Sequence, residues 1–243
     1  MRVSALTSVL LLTAQAQEGA PRPKFGVQAT RLVDSHGYIK RAEASDFWAL
    51  IPYYSAQFNG KACSVASVAM VLNAARAHQK LTASDALVLQ EAMLKKVGDS
   101  QWIEAVGASG KGVTLDLLAD FTRRAFQTYG FAEGKVTAQH ASQEPKDKAD
   151  FVRALTENEK GASTFMIANF LQSELTGDPE GAVGHIAPIA AYDAKSKRVL
   201  IMDPDREWYE PYWVSVDTLW KGMQTEDPVS KKMRGYVWIK IKN

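Results

Sequence analysis

Gln57-Phe-Asn-Gly-Lys-Ala-Cys63-Ser-Val-Ala-Ser-Val-Ala-Met-Val-Leu-Asn73 decides how this chain is read. From Cys63 to Ala75 the residues are apolar on every side and rich in alanine, the pattern of a buried central helix. Cys63 stands at its start and is the only cysteine in the chain, so an internal disulfide is excluded. A thiol at a helix N-terminus feels the positive end of the helix dipole, which lowers its pKa and makes it a better nucleophile. The competing reading is a small buried hydrophobe, the fate of most free cysteines; the rest of the sequence has to choose.

Working outward, the first half reads as mainly helical. Phe47 to Tyr54 is an aromatic approach segment broken at Pro52. Ser84 to Val97 has a helical period, with Ser84 as its cap and lysines near its end. Thr114 caps a helix over Leu115 to Phe126, and Pro145 to Asn158 reads as a helix with Phe151, Val152 and Leu155 inward. The second half reads as strands: Ser163 to Phe170, Ile186 to Tyr192, Arg198 to Met202 and Tyr236 to Ile241. A polar connection spans Leu171 to Gly184, Trp208 to Trp213 is aromatic and partly extended, and Ser215 caps a helix over Val216 to Gln224. Helices first and antiparallel strands later predict an α+β fold, a helical lobe bearing the nucleophile helix packed against a sheet lobe bearing its base.

The chain has 243 residues, 46% hydrophobic, and a formal charge of +2. That supports one globular domain and gives no sign of a nucleic-acid partner. Met1-Arg2, the apolar run through Thr13 and Ala14-Gln15-Ala16 form the three parts of a secretory signal peptide over residues 1–16. Residues 17–24 read as a flexible mature N-terminus and 25–243 as the single catalytic domain. The expected location is outside the cytoplasm, periplasmic or secreted, with no membrane association once the leader is removed. A free thiol retained in an oxidising compartment hints at use.

Four histidines can serve a nucleophilic cysteine: His36, His78, His140 and His185. His36 lies in a turn-like Asp-Ser-His-Gly, His78 beyond the far end of the Cys63 helix, and His140 in a polar stretch before Pro145; all three read as solvated. His185 opens the buried strand Ile-Ala-Pro-Ile-Ala-Ala-Tyr. If the two strands fold about Ala194, His185 and Asp203 become cross-strand partners on one face. A carboxylate there fixes the imidazole tautomer and stabilises the imidazolium. Asp203 before Pro204 also reads as a turn residue. Cys63 as nucleophile, His185 as base and Asp203 as orienter follow the logic of papain-like thiol enzymes. The Cys63 backbone N–H and the Gln57 side-chain amide are the candidate oxyanion donors.

At these residues the chain resembles the phytochelatin synthase family, in particular its short prokaryotic members. The matching segments are Gln57 through Asn73, Gly184 through Tyr192, Leu200 through Arg206, Tyr209 through Val214, Leu219-Trp220 and Arg234-Gly-Tyr236. The resemblance implies a papain-like fold acting on glutathione. Cys63 would attack the Cys–Gly carbonyl and release glycine, and the γ-Glu-Cys thioester would pass to water or to a second glutathione, lengthening a γ-Glu-Cys peptide chain. Arg206, Asp227 and Arg234 match family positions near the acyl site, Asn169 and Tyr209 more weakly. No bound cofactor or protein metal site is implied; cadmium or zinc would enter as a metal–glutathione thiolate co-substrate. Assembly as a homodimer is compatible with this. Ser64 stands where the family usually has glycine, and no cysteine-rich extension follows, which leaves room for hydrolysis to dominate. Two other readings remain open: a papain-like peptidase for α-linked peptides, and a non-catalytic protein that captures thiols or metal thiolates.

Overall fold

A computed structural model describes residues 25–77, 79–161 and 163–241. The proposed leader, the 17–24 segment and His78 lie outside the described residues. In chain order the elements are β1 (Ala29–Arg31), α1 (His36–Ile39), α2 (Ser45–Leu50), α3 (Cys63–Arg76), α4 (Gln90–Val97), α5 (Ser100–Val106), α6 (Leu115–Thr128) and β2 (Lys135–His140). There follow α7 (Pro145–Asn158), β3 (Thr164–Leu171), α8 (Gln172–Thr176), β4 (Gly184–Asp193), β5 (Arg198–Ile201), β6 (Tyr212–Ser215), α9 (Val216–Met223) and β7 (Gly235–Lys240).

Among the described residues the strands form one seven-stranded sheet, ordered β1-β6-β5-β4-β3-β7-β2, with every neighbouring pair antiparallel. Side chains alternate across it. In β3, Phe165 and Ile167 face a core completed by α2 to α6, while Met166, Ala168 and Phe170 face a second core completed by α7, α8 and α9. A sheet apolar on both faces needs cover on both. The α+β class therefore holds, but the helices are not confined to one lobe, and β1 and β2 come from the half expected to be helical.

Every residue of α3 is buried, as its all-round apolar pattern requires. It lies against β4, where Ser67 Oγ donates to the Ile186 carbonyl at 3.1 Å. Near its far end Asn73 imitates a strand partner: Val88 N–H donates to Asn73 Oδ1 at 2.8 Å and Asn73 Nδ2 donates to the Val88 carbonyl at 2.9 Å. Held extended in this way, the chain cannot coil through Val88, and the helix expected from Ser84 starts only at Gln90. Ser84 instead shares a hydrogen bond with Thr82.

The hairpin of β4 and β5 turns between Asp193 and Arg198, and its register shifts between Ile189 and Ala191. The pairing expected about Ala194 does not form. His185 is instead opposite Phe170 of β3, and Asp203 lies just beyond the end of β5.

Candidate active site

Cys63 is the first residue of α3, whose preceding residue, Ala62, offers no side-chain cap. The first amides of a helix have no intrahelical acceptor, so this end presents bare N–H donors beside the sulfur. His185 is the second residue of β4, directly across the buried contact between α3 and that strand. Its Nε2 lies 2.7 Å from Asp203 Oδ1. With Nε2 donating to the carboxylate, Nδ1 is the nitrogen left for Cys63, whose sulfur is near enough to raise the ring's pKa. The three residues expected to form a relay are thus brought together, by a route other than the cross-strand pairing: a register shift and a short extension past β5 place the acid.

Asp203 is fully buried and all its lone-pair directions are used. Oδ1 accepts from His185 and from the Asp205 N–H at 2.9 Å; Oδ2 accepts from Gln172 Nε2 at 2.9 Å and from the Tyr212 hydroxyl at 3.1 Å. The Tyr54 hydroxyl donates to its backbone carbonyl at 2.6 Å. Burial by itself pushes the Asp203 carboxyl up, but the imidazolium charge and these donors outweigh it, leaving the group below the usual carboxylate range. For His185 burial is likewise the largest influence and pulls downward. The Asp203 charge and hydrogen bond, with those from Cys63, overcome it and hold the ring well above the ordinary histidine value.

Sequence reasoning missed Gln172 and Tyr212. Gln172 fell in a stretch read as a polar connection, and Tyr212 in an aromatic run, and neither periodicity nor spacing announces a buried hydroxyl aimed at a carboxylate. Burial of the Tyr212 phenol, and after it the neighbouring Asp203 charge, drives its pKa well above the usual range.

A cleft of about 700 Å³ opens at Cys63 and His185 and is also lined by Gln57, Asn169, Asp227 and Arg234. The Gln57 backbone N–H donates to the Pro204 carbonyl at 2.8 Å, tying the oxyanion candidate to the loop after Asp203. Arg234 is buried; its Nη1 donates to Thr225 Oγ1 and the Glu226 carbonyl at 2.8 and 2.7 Å, and its Nε has no partner. Burial lowers its pKa, opposed by the nearby Asp227 charge. Asp227 Oδ1 accepts from the N–H groups of Val229 and Ser230, shaping the loop before Arg234. Asn169 is buried with its Oδ1 unpartnered.

Two expected substrate contacts sit elsewhere. Arg206 is exposed, with its guanidinium 4.5 Å from the centre of the Tyr54 ring, and is not among the residues lining the cleft. Tyr209 packs in the second core against Phe25 and Tyr212, its hydroxyl 3.3 Å from Asp178 Oδ2. Of the other histidines, His36 is exposed at the start of α1. His140 is a correction: it ends strand β2, half-buried, with Nε2 on Asp116 and Nδ1 on the Met233 carbonyl. Ser64 points away from the chemistry: its Oγ accepts the Trp102 indole N–H at 3.0 Å, in the core where Trp102 stacks on Phe121. Among the described residues no group of three or more His, Cys, Asp or Glu can hold a metal ion.

The phytochelatin synthase family model matches residues 30–236. Curated relatives include a glutathione gamma-glutamylcysteinyltransferase 1 of Lotus japonicus, 28% identical over 83% of this chain and 37% of its own length. Proteins of the same description from Arabidopsis thaliana and Triticum aestivum are 26% and 27% identical over 83% and 79% of this chain, and 38% and 35% of their own lengths. The chain spans well under half the length of the curated relatives it matches.

Proposed function

The chain belongs to the phytochelatin synthase family, and from that premise we propose that it is a cysteine-dependent γ-glutamylcysteinyl transferase and hydrolase that acts on glutathione, on a papain-like scaffold. The observation that supports this most is Cys63 and His185 lining one cleft with Asp203 buried behind the ring, the 2.7 Å His185–Asp203 contact leaving Nδ1 as the nitrogen for the sulfur.

In this mechanism His185 takes the Cys63 proton through Nδ1, and the thiolate attacks the carbonyl carbon of the Cys–Gly bond. The oxyanion is met by the Cys63 N–H and the Gln57 amide. His185 then gives the proton to the glycine nitrogen, the C–N bond breaks, and glycine leaves behind a γ-Glu-Cys thioester. Water, or the amine of a second glutathione, attacks the thioester carbon; His185 takes a proton from the attacking atom, and the C–S bond breaks to return the thiolate. Asp227 and the unpartnered Nε of Arg234 suit the ammonium and carboxylate of the γ-glutamyl head. The buried, unpartnered Asn169 Oδ1 suits a donor on the same substrate. Arg206 and Tyr209 support the walls in this reading, through Tyr54 and the second core. Cadmium or zinc acts as substrate, carried in on glutathione thiolates, which soft metals favour. The leader over residues 1–16 makes the enzyme an exported one.

The test is incubation of the mature protein with glutathione. Glycine should be released, and Cys63→Ala or His185→Ala should abolish it; turnover retained in Cys63→Ala would eliminate the mechanism. Product analysis with and without cadmium separates dipeptide alone from longer thiol peptides. A panel of γ- and α-linked substrates separates this activity from that of a general peptidase. Stoichiometric binding without glycine release would mark a non-catalytic protein.

A further inference from the structure

The two walls of the Cys63 cleft differ in charge. The wall formed by the ends of β3 and β4 and by the 225–234 loop holds Glu226, Asp227 and Arg234, a mixed set that suits a zwitterionic amino-acid head. The loop before α3 and the loop between α5 and α6 contribute Lys61 and Lys111 and no acid of their own, while Asp205, on the loop after β5, also lines the cleft. Neither lysine forms an ion pair with a carboxylate among the described residues.

The Lys61 side chain is held in place, and the backbone turn that carries Lys111 is fixed. Lys61 Nζ donates to the Ala108 carbonyl at 2.7 Å, and Asn59 Nδ2 donates to the Val106 carbonyl at 3.1 Å, so the two loops are pinned together. Lys111 sits between Gly110 and Gly112. A Cβ on Gly110 would lie 2.1 Å from the Ala105 carbonyl oxygen, and Gly112 has φ +78°. The turn that presents Lys111 therefore needs glycine on either side. Lys61 precedes Cys63 by two residues, a backbone span of at most about 7 Å.

We propose that Lys61 and Lys111 form a carboxylate subsite that holds the leaving glycine of glutathione and then the α-carboxylate of the incoming acceptor. This rests on the activity proposed above. The leaving group is an amine with a carboxylate on the next carbon. The acceptor's γ-glutamyl head is the same unit, an amine flanked by a carboxylate. One subsite thus serves the forward and the return step. The acceptor amine attacks the thioester carbon, the C–N bond forms as the C–S bond breaks, the amine proton passes to His185, and the sulfur departs as thiolate. Water has no carboxylate to offer, so the subsite favours transfer over hydrolysis.

The experiment compares kcat/KM for glutathione and for its C-terminal glycinamide, using the full chain. Wild type should prefer glutathione by about 10-fold or more, the equivalent of one charge-assisted hydrogen bond. Lys61→Met/Lys111→Met should abolish that preference and shift products from longer peptides towards dipeptide, and Lys61→Arg/Lys111→Arg should restore both. A structural role for the lysines would lower both substrates alike and leave the ratio standing. Discrimination and product partition unchanged in the Met double variant, with glutathione still cleaved, would overturn the subsite alone. Failure of wild type to cleave either substrate would overturn the activity on which it rests, and the subsite with it.

Discussion

Asp203→Asn tests the relay most directly, because the size of its effect follows from the contacts of that one side chain. The carboxylate has two oxygens, each with two donors: His185 and the Asp205 N–H on one, Gln172 and the Tyr212 hydroxyl on the other. An amide of the same shape has a single oxygen, so one pair of donors must face an NH₂. If the NH₂ faces His185, Nε2 becomes an acceptor, the proton moves to Nδ1, and the ring can no longer take the Cys63 proton. If the oxygen faces His185, the tautomer survives but the charge holding an imidazolium in a buried site is gone, and burial pushes the ring to its neutral form. The attraction lost is about 4 kcal/mol for charges about 4 Å apart at an effective dielectric near 20. At about 1.4 kcal/mol per factor of ten, glycine release should fall by roughly 10³ in kcat/KM. Initial rates of glycine release on protein shown to be folded by thermal unfolding give the measurement. A folded Asp203→Asn enzyme within about 10-fold of wild type, well short of that 4 kcal/mol, would refute the assigned role.

Stability should fall with rising pH: the folded His185 keeps its proton above about pH 6.5, where the unfolded ring releases it, so unfolding free energy declines by up to about 1.4 kcal/mol per pH unit until the folded ring titrates. Asp203 acts in the opposite sense, its contribution being complete above about pH 4 and lost as pH falls through its lowered folded value. On these two groups, urea unfolding should show stability highest between about pH 4 and 6.5 and falling above it, and a stability still rising above about pH 7 would contradict the charged pair. Ser64→Ala leaves the Trp102 indole N–H buried without an acceptor and should cost about 1–3 kcal/mol, read as a lower melting temperature with KM for glutathione unchanged. Asn73→Ala frees both backbone groups of Val88 and should sensitise the 82–89 segment to limited proteolysis ahead of global unfolding; an unchanged cleavage pattern would show that the clasp does not hold that segment.

Much of this architecture was legible because single residues left strong local marks. The all-round apolar run after Cys63 required a buried helix. Pro145 opened α7 at its first turn, and Ser215 caps α9 by accepting the Thr218 N–H. The hidden parts depended on partners distant in sequence. β2 is an edge strand with Val136 its single fully buried residue, so it shows no clear alternation, and β1 is three residues long. The false helix start at Ser84 arose because Asn73, on another helix, ties down Val88. Asp203 meets His185 although the register expected for them was wrong: the β4–β5 irregularity moves the pairing, and the chain beyond β5 still delivers Asp203 to His185. Gln172 and Tyr212, which complete that carboxylate's hydrogen bonds, have no sequence signature short of the fold itself.

The Ser67 hydroxyl on the Ile186 carbonyl acts as a rivet between two separate pieces of machinery. It sits one helical turn past the sulfur and one residue past the imidazole, so the gap across which a proton must hop belongs to the seam between helix and strand and to neither piece alone. On the proposed mechanism, loosening that seam should silence turnover while each piece remains intact. Turnover would then gauge how tightly helix and strand are closed on one another.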